Sequence, residues 1–380
     1  MLIGIFLFLL AIAGSLISQN PPFVENGTMQ WLKYLWFFPL VFQLLIDSKA
    51  FVELWCRQVL FVILCFVIFC LIGEIFTFNS YIGLDLTNIL MSVTVAIVSF
   101  SLWRKYGRAL IMKILCVMLV LVGSYLAYAV YSQYLVNASI LDLQYSFDSK
   151  NSMGQILLCC GFIPLANFIP KQFLLKYAYY ALVLFIFVVM IWMKSRATMA
   201  SGLFILIYLF VKSNNLKLKL VVLSLCVLFC FVVILTPDLY EIIVTGIVLA
   251  NRAEDNLDDL SSGRVFLISE AIEYIQENLL IGIGNHYIDC MPIAMLLQYG
   301  VIGSSIVFLL IVVVGYHLMK MDVNHNSIKR TAFLLFFAFL INSLFEAQPP
   351  FGPGAKCFLM WMMVGFAFAE SPQKKVCITS

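Results

Sequence analysis

The chain has 380 residues, 63% of them hydrophobic and only 11% charged, with a mean hydropathy of +1.02 and a formal net charge of +3. A soluble domain is roughly 45–50% apolar and about 25% charged, so this composition excludes an ordinary water-covered surface; the small net charge says nothing about nucleic acid, and no nucleic-acid partner is expected. Apolar runs without strand alternation recur along the whole length, many near the ~20 residues that cross a bilayer core, so helices and not a barrel are the expected spanning element.

Twelve apolar helices are predicted in chain order, at approximately 1–18, 31–46, 59–77, 89–103, 109–131, 152–169, 173–193, 197–211, 220–236, 291–317, 331–345 and 356–369. Met1–Ser18 lacks a basic leading region and ends in Ser15-Leu16-Ile17-Ser18, a poor cleavage site, so it reads as a retained first helix. Breaks rich in Gly, Pro and Asn, such as Gln19–Gly27 and Gln348–Gly354, separate the runs. The expected fold is an all-α integral membrane protein of about twelve transmembrane helices. Residues 1–236 carry helices one to nine, residues 237–290 one large outer insertion with an amphipathic helix, and residues 291–380 the last three helices and a short tail. The 11 cysteines fall mostly inside apolar runs and read as small buried hydrophobes.

Lysine and arginine asymmetry sets the orientation. With both termini in the cytoplasm, 16 of the 23 lysines and arginines lie on the cytoplasmic side. The other seven are Lys33, Lys150, Lys194, Arg196, Arg252, Arg264 and Lys356. The insertion Pro237–Asp289 is therefore expected on the outer side of the membrane. Two places break the charge preference. Lys194-Ser195-Arg196 forms a basic cluster at an outer helix end, and Arg264 lies in the otherwise acidic insertion. Cations placed against the preference point to an anion to meet; the plain alternative is that they snorkel to headgroups or face solvent.

Within the insertion, Val265, Ile268, Ala271, Ile272 and Ile275 fall at helical spacing, opposite Glu270, Glu273 and Glu277. Ser261 or Ser262 is the expected N-cap, which puts Arg264 in the first turn. Free backbone N–H groups and an arginine at a helix start suit a phosphate. Gly282 and Gly284 then permit a tight turn. His286 and Asp289 follow, just before the tenth helix, where Gly300 and Gly303 are expected to allow close helix packing. No carboxylate cluster of metal-binding pattern is evident: Asp255, Asp258 and Asp259 lack the glycine turn and terminal glutamate of a calcium loop.

Taken together, four pieces resemble the O-antigen polymerase and O-antigen ligase superfamily of bacterial envelopes. They are Lys194-Ser195-Arg196-Ala197 at a mid-chain outer helix end, Ser262-Gly263-Arg264 opening an amphipathic helix, Glu277-Asn278-Leu279-Leu280-Ile281-Gly282-Ile283-Gly284, and the segment Asp289–Gly303. Asn151-Ser152-Met153-Gly154 is similar to a small polar motif before an earlier span. One departure is Asp289-Cys290, where ligases typically carry His-Asn; it favours a polymerase.

The resemblance implies an inverting glycosyltransferase at the outer leaflet, needing no cofactor and no metal. Its donor would be a glycan on undecaprenyl diphosphate, its surroundings membrane lipids, and a chain-length regulator a further partner. Arg196 and Arg264 would bind the diphosphate, with Lys194 and Asn151 as secondary contacts. His286 or Asp289 would be the catalytic base. The alternatives are a ligase that transfers the glycan to lipid A core, or a flippase for lipid-linked oligosaccharide.

Overall fold

The structure is a computed structural model that describes residues 2–47, 53–77, 80–106, 108–136, 150–248, 264–352 and 354–370. The expected N-cap at Ser261 or Ser262, Gly263, Arg252 and the three aspartates Asp255, Asp258 and Asp259 lie outside them. So do the residues after 370.

Among the described residues there is no strand, and every predicted apolar run is helical. The helices are α1 (Leu2–Ile17), α2 (Pro21–Glu25), α3 (Phe37–Ile46), α4 (Leu54–Thr77), α5 (Leu84–Lys105), α6 (Arg108–Val130) and α7 (Lys150–Asn167). Then come α8 (Phe173–Trp192), α9 (Arg196–Lys212), α10 (Leu216–Leu235), α11 (Pro237–Tyr240), α12 (Arg264–Glu277), α13 (Met291–Met319), α14 (Ser327–Asn342) and α15 (Phe358–Ala369). The run expected at 31–46 begins as a 3-10 helix, Gln30–Trp36, before α3. Five helical segments are long and apolar enough to cross a membrane: Leu54–Thr77, Asp85–Lys105, Arg108–Leu135, Phe173–Trp192 and Met291–Met319. A sixth is added if the bent pair Lys219–Leu235 and Pro237–Ile247 counts as one span. Helices α1, α3, α7, α9, α14 and α15 run only 10 to 18 residues. Length and composition thus give five candidate spans among the described residues, or six with the bent pair.

The centre of the bundle is the pair α5 and α15. Every residue from Phe358 to Phe368 is buried. A Cβ on Gly365 would come within 2.2 Å of the Ala96 carbonyl oxygen, so the backbones touch where the side chain is missing. Between helices in lipid, such close contact and interhelical hydrogen bonds replace the hydrophobic drive. Trp103 packs on Phe366 with ring centroids 4.4 Å apart, and its Nε1 donates to Glu370 at 2.8 Å. At the other end of α15, Trp361 Nε1 donates to the Pro350 carbonyl at 2.6 Å. By contrast, α10 is exposed along nearly its whole described length.

Polar contacts divide the bundle into two ends. At one, Arg104 joins Asp47 at 3.1 Å and Glu53 at 2.7 Å, Arg108 joins Glu370 at 3.1 Å, and His317 meets Gln58 at 2.8 Å. The opposite end gathers the starts of α7, α9, α12, α13 and α15 with the loop after α14. Lys150, Lys194, Arg196, Arg264 and Lys356, five of the seven cations counted on the outer side, lie in or beside these starts.

Candidate functional site

Helix α9 starts from a turn of three residues. Lys194 has left-handed backbone (φ 55°), an unusual state for a residue with a Cβ. It is 4% exposed, and its amide bonds the Ile191 carbonyl at 3.0 Å. Ser195 is the N-cap: its Oγ accepts from the Thr198 amide at 3.4 Å and lies 2.8 Å from Thr198 Oγ1. The same hydroxyl donates to Asn151 Oδ1 at 2.8 Å. So the expected secondary residue Asn151, in the first turn of α7, is fastened to the cap of the helix that opens with Arg196. Gly154 lets the two helices approach, since a Cβ there would fall 2.6 Å from Thr198 Oγ1.

The amphipathic helix α12 forms as expected, but its docked face is narrower. Ile268, Ala271 and Ile275 pack on Ile288, Cys290, Ala294 and Leu297, whereas Val265 and Ile272 remain 51% and 46% exposed. Arg264 shares the docked stripe, being four, seven and eleven residues before those three contacts. Its Nη2 therefore reaches Asp289 Oδ2 at 3.3 Å, while its buried Nε has no hydrogen-bond partner among the described residues. The other Asp289 oxygen accepts from the Tyr287 hydroxyl at 2.6 Å. Desolvation raises the Tyr287 pKa, helped by that hydrogen bond and by the charges of Asp289 and Glu346, against the Arg264 cation. Tyr287 therefore stays a donor at neutral pH. Sequence reasoning placed Arg264 and Asp289 in separate roles; in this state they are an ion pair. The His286 side chain is exposed and makes no hydrogen bond or ion pair with a described residue, and its carbonyl accepts from Gln298 Nε2.

The loop that carries His286 and Asp289 is locked into a break in α13. Gly300 has φ 57° and ψ −168°, which no helix contains. The amides of Val301 and Ile302 would bond the carbonyls of residues 297 and 298 in an unbroken helix. They bond Leu279 O at 2.8 Å and Leu280 O at 3.2 Å instead. The freed Leu297 and Gln298 carbonyls accept from Ile283 N at 2.9 Å and Gly284 N at 3.0 Å. A Cβ on Gly282 would lie 2.5 Å from Gln298 O, and one on Gly300 2.4 Å from Leu280 O. This corrects the expectation for Gly300: it breaks the helix and admits a loop, and does not serve helix-to-helix packing.

Two residues of this end were not singled out as site residues. Glu346, in the loop after α14, accepts from Asn151 Nδ2 through one oxygen, and its other oxygen is 3.5 Å from Lys356 Nζ. Lys356 is fully buried. Lys356 is one of the seven cations on the outer side of the charge count, and that was its only signal in the sequence.

Fold and site together describe a multi-pass helical membrane protein with an arginine-rich polar cluster at one end. Residues 181–307 match a family model described as O-antigen ligase. The match covers about a third of the chain, from α8 to the break in α13, and supports the O-antigen polymerase and ligase superfamily. Members of that family are glycosyltransferase-like enzymes of O-antigen and glycan assembly, so lipid-linked glycans and membrane lipids are the implied partners. No curated protein matches the chain. The matched stretch contains Arg196, Arg264, His286 and Asp289, but not Asn151, Glu346 or Lys356.

Proposed function

We propose that the protein is an O-antigen polymerase of the bacterial inner membrane, with its basic end and both termini in the cytoplasm. On this reading it spans the bilayer about twelve times, and its polar cluster and the insertion face the periplasm. It transfers a glycan from undecaprenyl diphosphate to a hydroxyl of the next lipid-linked repeat unit. The observation that carries this reading is the placement of cations. Lys150, Lys194, Arg196, Arg264 and Lys356, five of the seven on the outer side of the count, belong to or adjoin two linked groups, Asn151 with Ser195 and Glu346, and Asp289 with Tyr287. An anion of high charge density at the membrane surface is what such an array would hold.

In the reaction, the acceptor oxygen forms a bond to the donor sugar's C1 as the bond from C1 to the phosphate oxygen breaks. Charge grows on the leaving diphosphate, and Arg196 and Arg264 stabilise it with guanidinium donors that can meet two oxygens at once. Arg264 has an unpartnered Nε for this role. The acceptor proton passes to a base within hydrogen-bond reach. His286 is favoured over Asp289, because the Asp289 oxygens are taken by Arg264 and Tyr287 while His286 is open to solvent.

A ligase, moving the glycan to lipid A core, is the second reading, favoured by the description of the matched family. Asp289-Cys290 stands against it. Deletion of the gene separates the two. Loss of a polymerase leaves single repeat units on lipid A core; loss of a ligase leaves none attached and lipid-linked polymer accumulating. Lipid-linked repeats stranded on the cytoplasmic face would defeat both in favour of a flippase.

A further inference from the structure

We infer that Glu346, held by Lys356, is a positioning residue that fixes the start of the helix bearing Arg196 for the anion. The inference rests on the diphosphate reading above and adds a residue to it.

Glu346 is 6% exposed and lies between Asn151 and Lys356. On one side its carboxylate accepts from Asn151, whose own Oδ1 accepts from Ser195, the cap of the helix that begins with Arg196. On the other side its second oxygen faces Lys356 Nζ at 3.5 Å. Lys356 is 0% exposed, and its Nζ makes no hydrogen bond to a described residue, so the 3.5 Å pair with Glu346 is its compensation. A buried pair of this kind gives up much hydration, and apolar side chains of the same volume would often be as stable. What apolar side chains could not do is hold the Asn151 amide in one orientation. Asn151 has a donor and an acceptor on one rigid amide, so fixing the donor on Glu346 aims the acceptor at Ser195. Glu346 touches no substrate in this arrangement; it acts through Asn151.

The contact can be reversed. Asn151→Asp keeps an acceptor for Ser195 but sets a carboxylate against Glu346. Adding Glu346→Gln restores the hydrogen bond with donor and acceptor exchanged and returns the net charge to that of the natural chain. The full-length protein in nanodiscs is titrated with a polyprenyl diphosphate, at a temperature well below each variant's unfolding midpoint. Asn151→Asp should weaken binding about tenfold or more, the effect of one lost charge-assisted hydrogen bond. N151D/E346Q should recover most of it. In turnover, the donor KM should rise in the single variant, with kcat nearly held at saturation, since a purely structural defect would lower the active fraction and leave KM alone. Asn151→Leu, isosteric and without added charge, carries the test where Asn151→Asp fails to accumulate. It should bind as weakly and gain nothing from Glu346→Gln. The proposal is overturned if the double variant binds no better than N151D, or if folded Asn151→Leu binds as well as the natural protein. A natural protein that does not bind the diphosphate at all overturns the functional reading itself, and no variant is needed to see it.

Discussion

Gly300→Ala should unfold the site-bearing loop. The substitution adds one methyl group at φ 57°, ψ −168°, where L-residues are strained by about 1–3 kcal/mol. That methyl would also lie 2.4 Å from Leu280 C and O and 2.5 Å from Ile281 N. These are backbone atoms fixed by the bonds from Val301 and Ile302, so they cannot rotate away. Overpacking of this kind costs a further ~1–3 kcal/mol. The total of about 2–6 kcal/mol is a large part of a net stability of ~5–15 kcal/mol. Gly315→Ala in the same helix is the control. Its Cβ would meet Phe336 Cε1 at 3.4 Å, an ordinary contact, and a helical Gly→Ala change gains up to ~1 kcal/mol. The assay is thermal unfolding of detergent-purified protein, with the amount in the membrane fraction and polymer formation measured beside it. A Gly300→Ala protein that unfolds within about 1 °C of the natural one, a shift worth under ~1 kcal/mol in a chain of this size, would refute the interlocked backbone.

Replacing Arg196 or Arg264 by lysine should be damaging, since an ammonium is a point charge. Alanine at either should slow turnover by about 10²–10³-fold, as loss of one preorganised donor does, the pair should be less than additive, and Lys33→Ala on the same side should be neutral. Polymer length on gels reads all of these, and full-length polymer from well-expressed Arg264→Ala would remove that residue from the site. His286→Ala should abolish polymer formation in folded protein; an active His286→Ala beside a dead Asp289→Asn would make the aspartate the base. Cysteine placed at Glu273 on a cysteine-free background should be labelled by an impermeant reagent from the periplasm, and labelling only after the inner leaflet is breached would reverse the orientation. Turnover should survive excess EDTA, because Asp255, Asp258 and Asp259 lack the pattern of a cation loop; activity lost to EDTA and restored by magnesium would overturn this.

Hydropathy alone found twelve apolar runs that are helical, because each is continuous, but it left the apolar helical segment Pro237–Ile247 in the insertion. It could not say how many cross fully, since α3 and α15 are short and their burial depends on neighbours. Arg196 and Arg264 were visible because each opposes a charge rule, and α12 because its spacing is periodic. Its apolar face was read too wide: Ile268, Ala271 and Ile275 dock as the spacing implies, while contact with α13 leaves Val265 and Ile272 exposed. Gly282 and Gly300 carried a signal as glycines, but only the fold shows that residues 18 apart form one joint. Glu346 was silent in the sequence. A lone glutamate after a hydrophobic run has no period or motif, and its meaning comes from Asn151, 195 residues away in the chain.

The position of α15 has a consequence for biogenesis. It lies at the centre of the bundle yet follows every other described helix in the chain, and α5, its main partner, ends about 250 residues earlier. At ~5–20 residues per second of synthesis, α5 waits in the membrane roughly 10–50 s before the helix that covers Ala96 and Ser99 leaves the ribosome. Lys356 emerges only just ahead of that helix, so a chain halted early lacks both its core and the partner of Glu346. On the proposed reading the anion site is thus completed by a helix made after every other described one, and a chain halted before it lacks a working site.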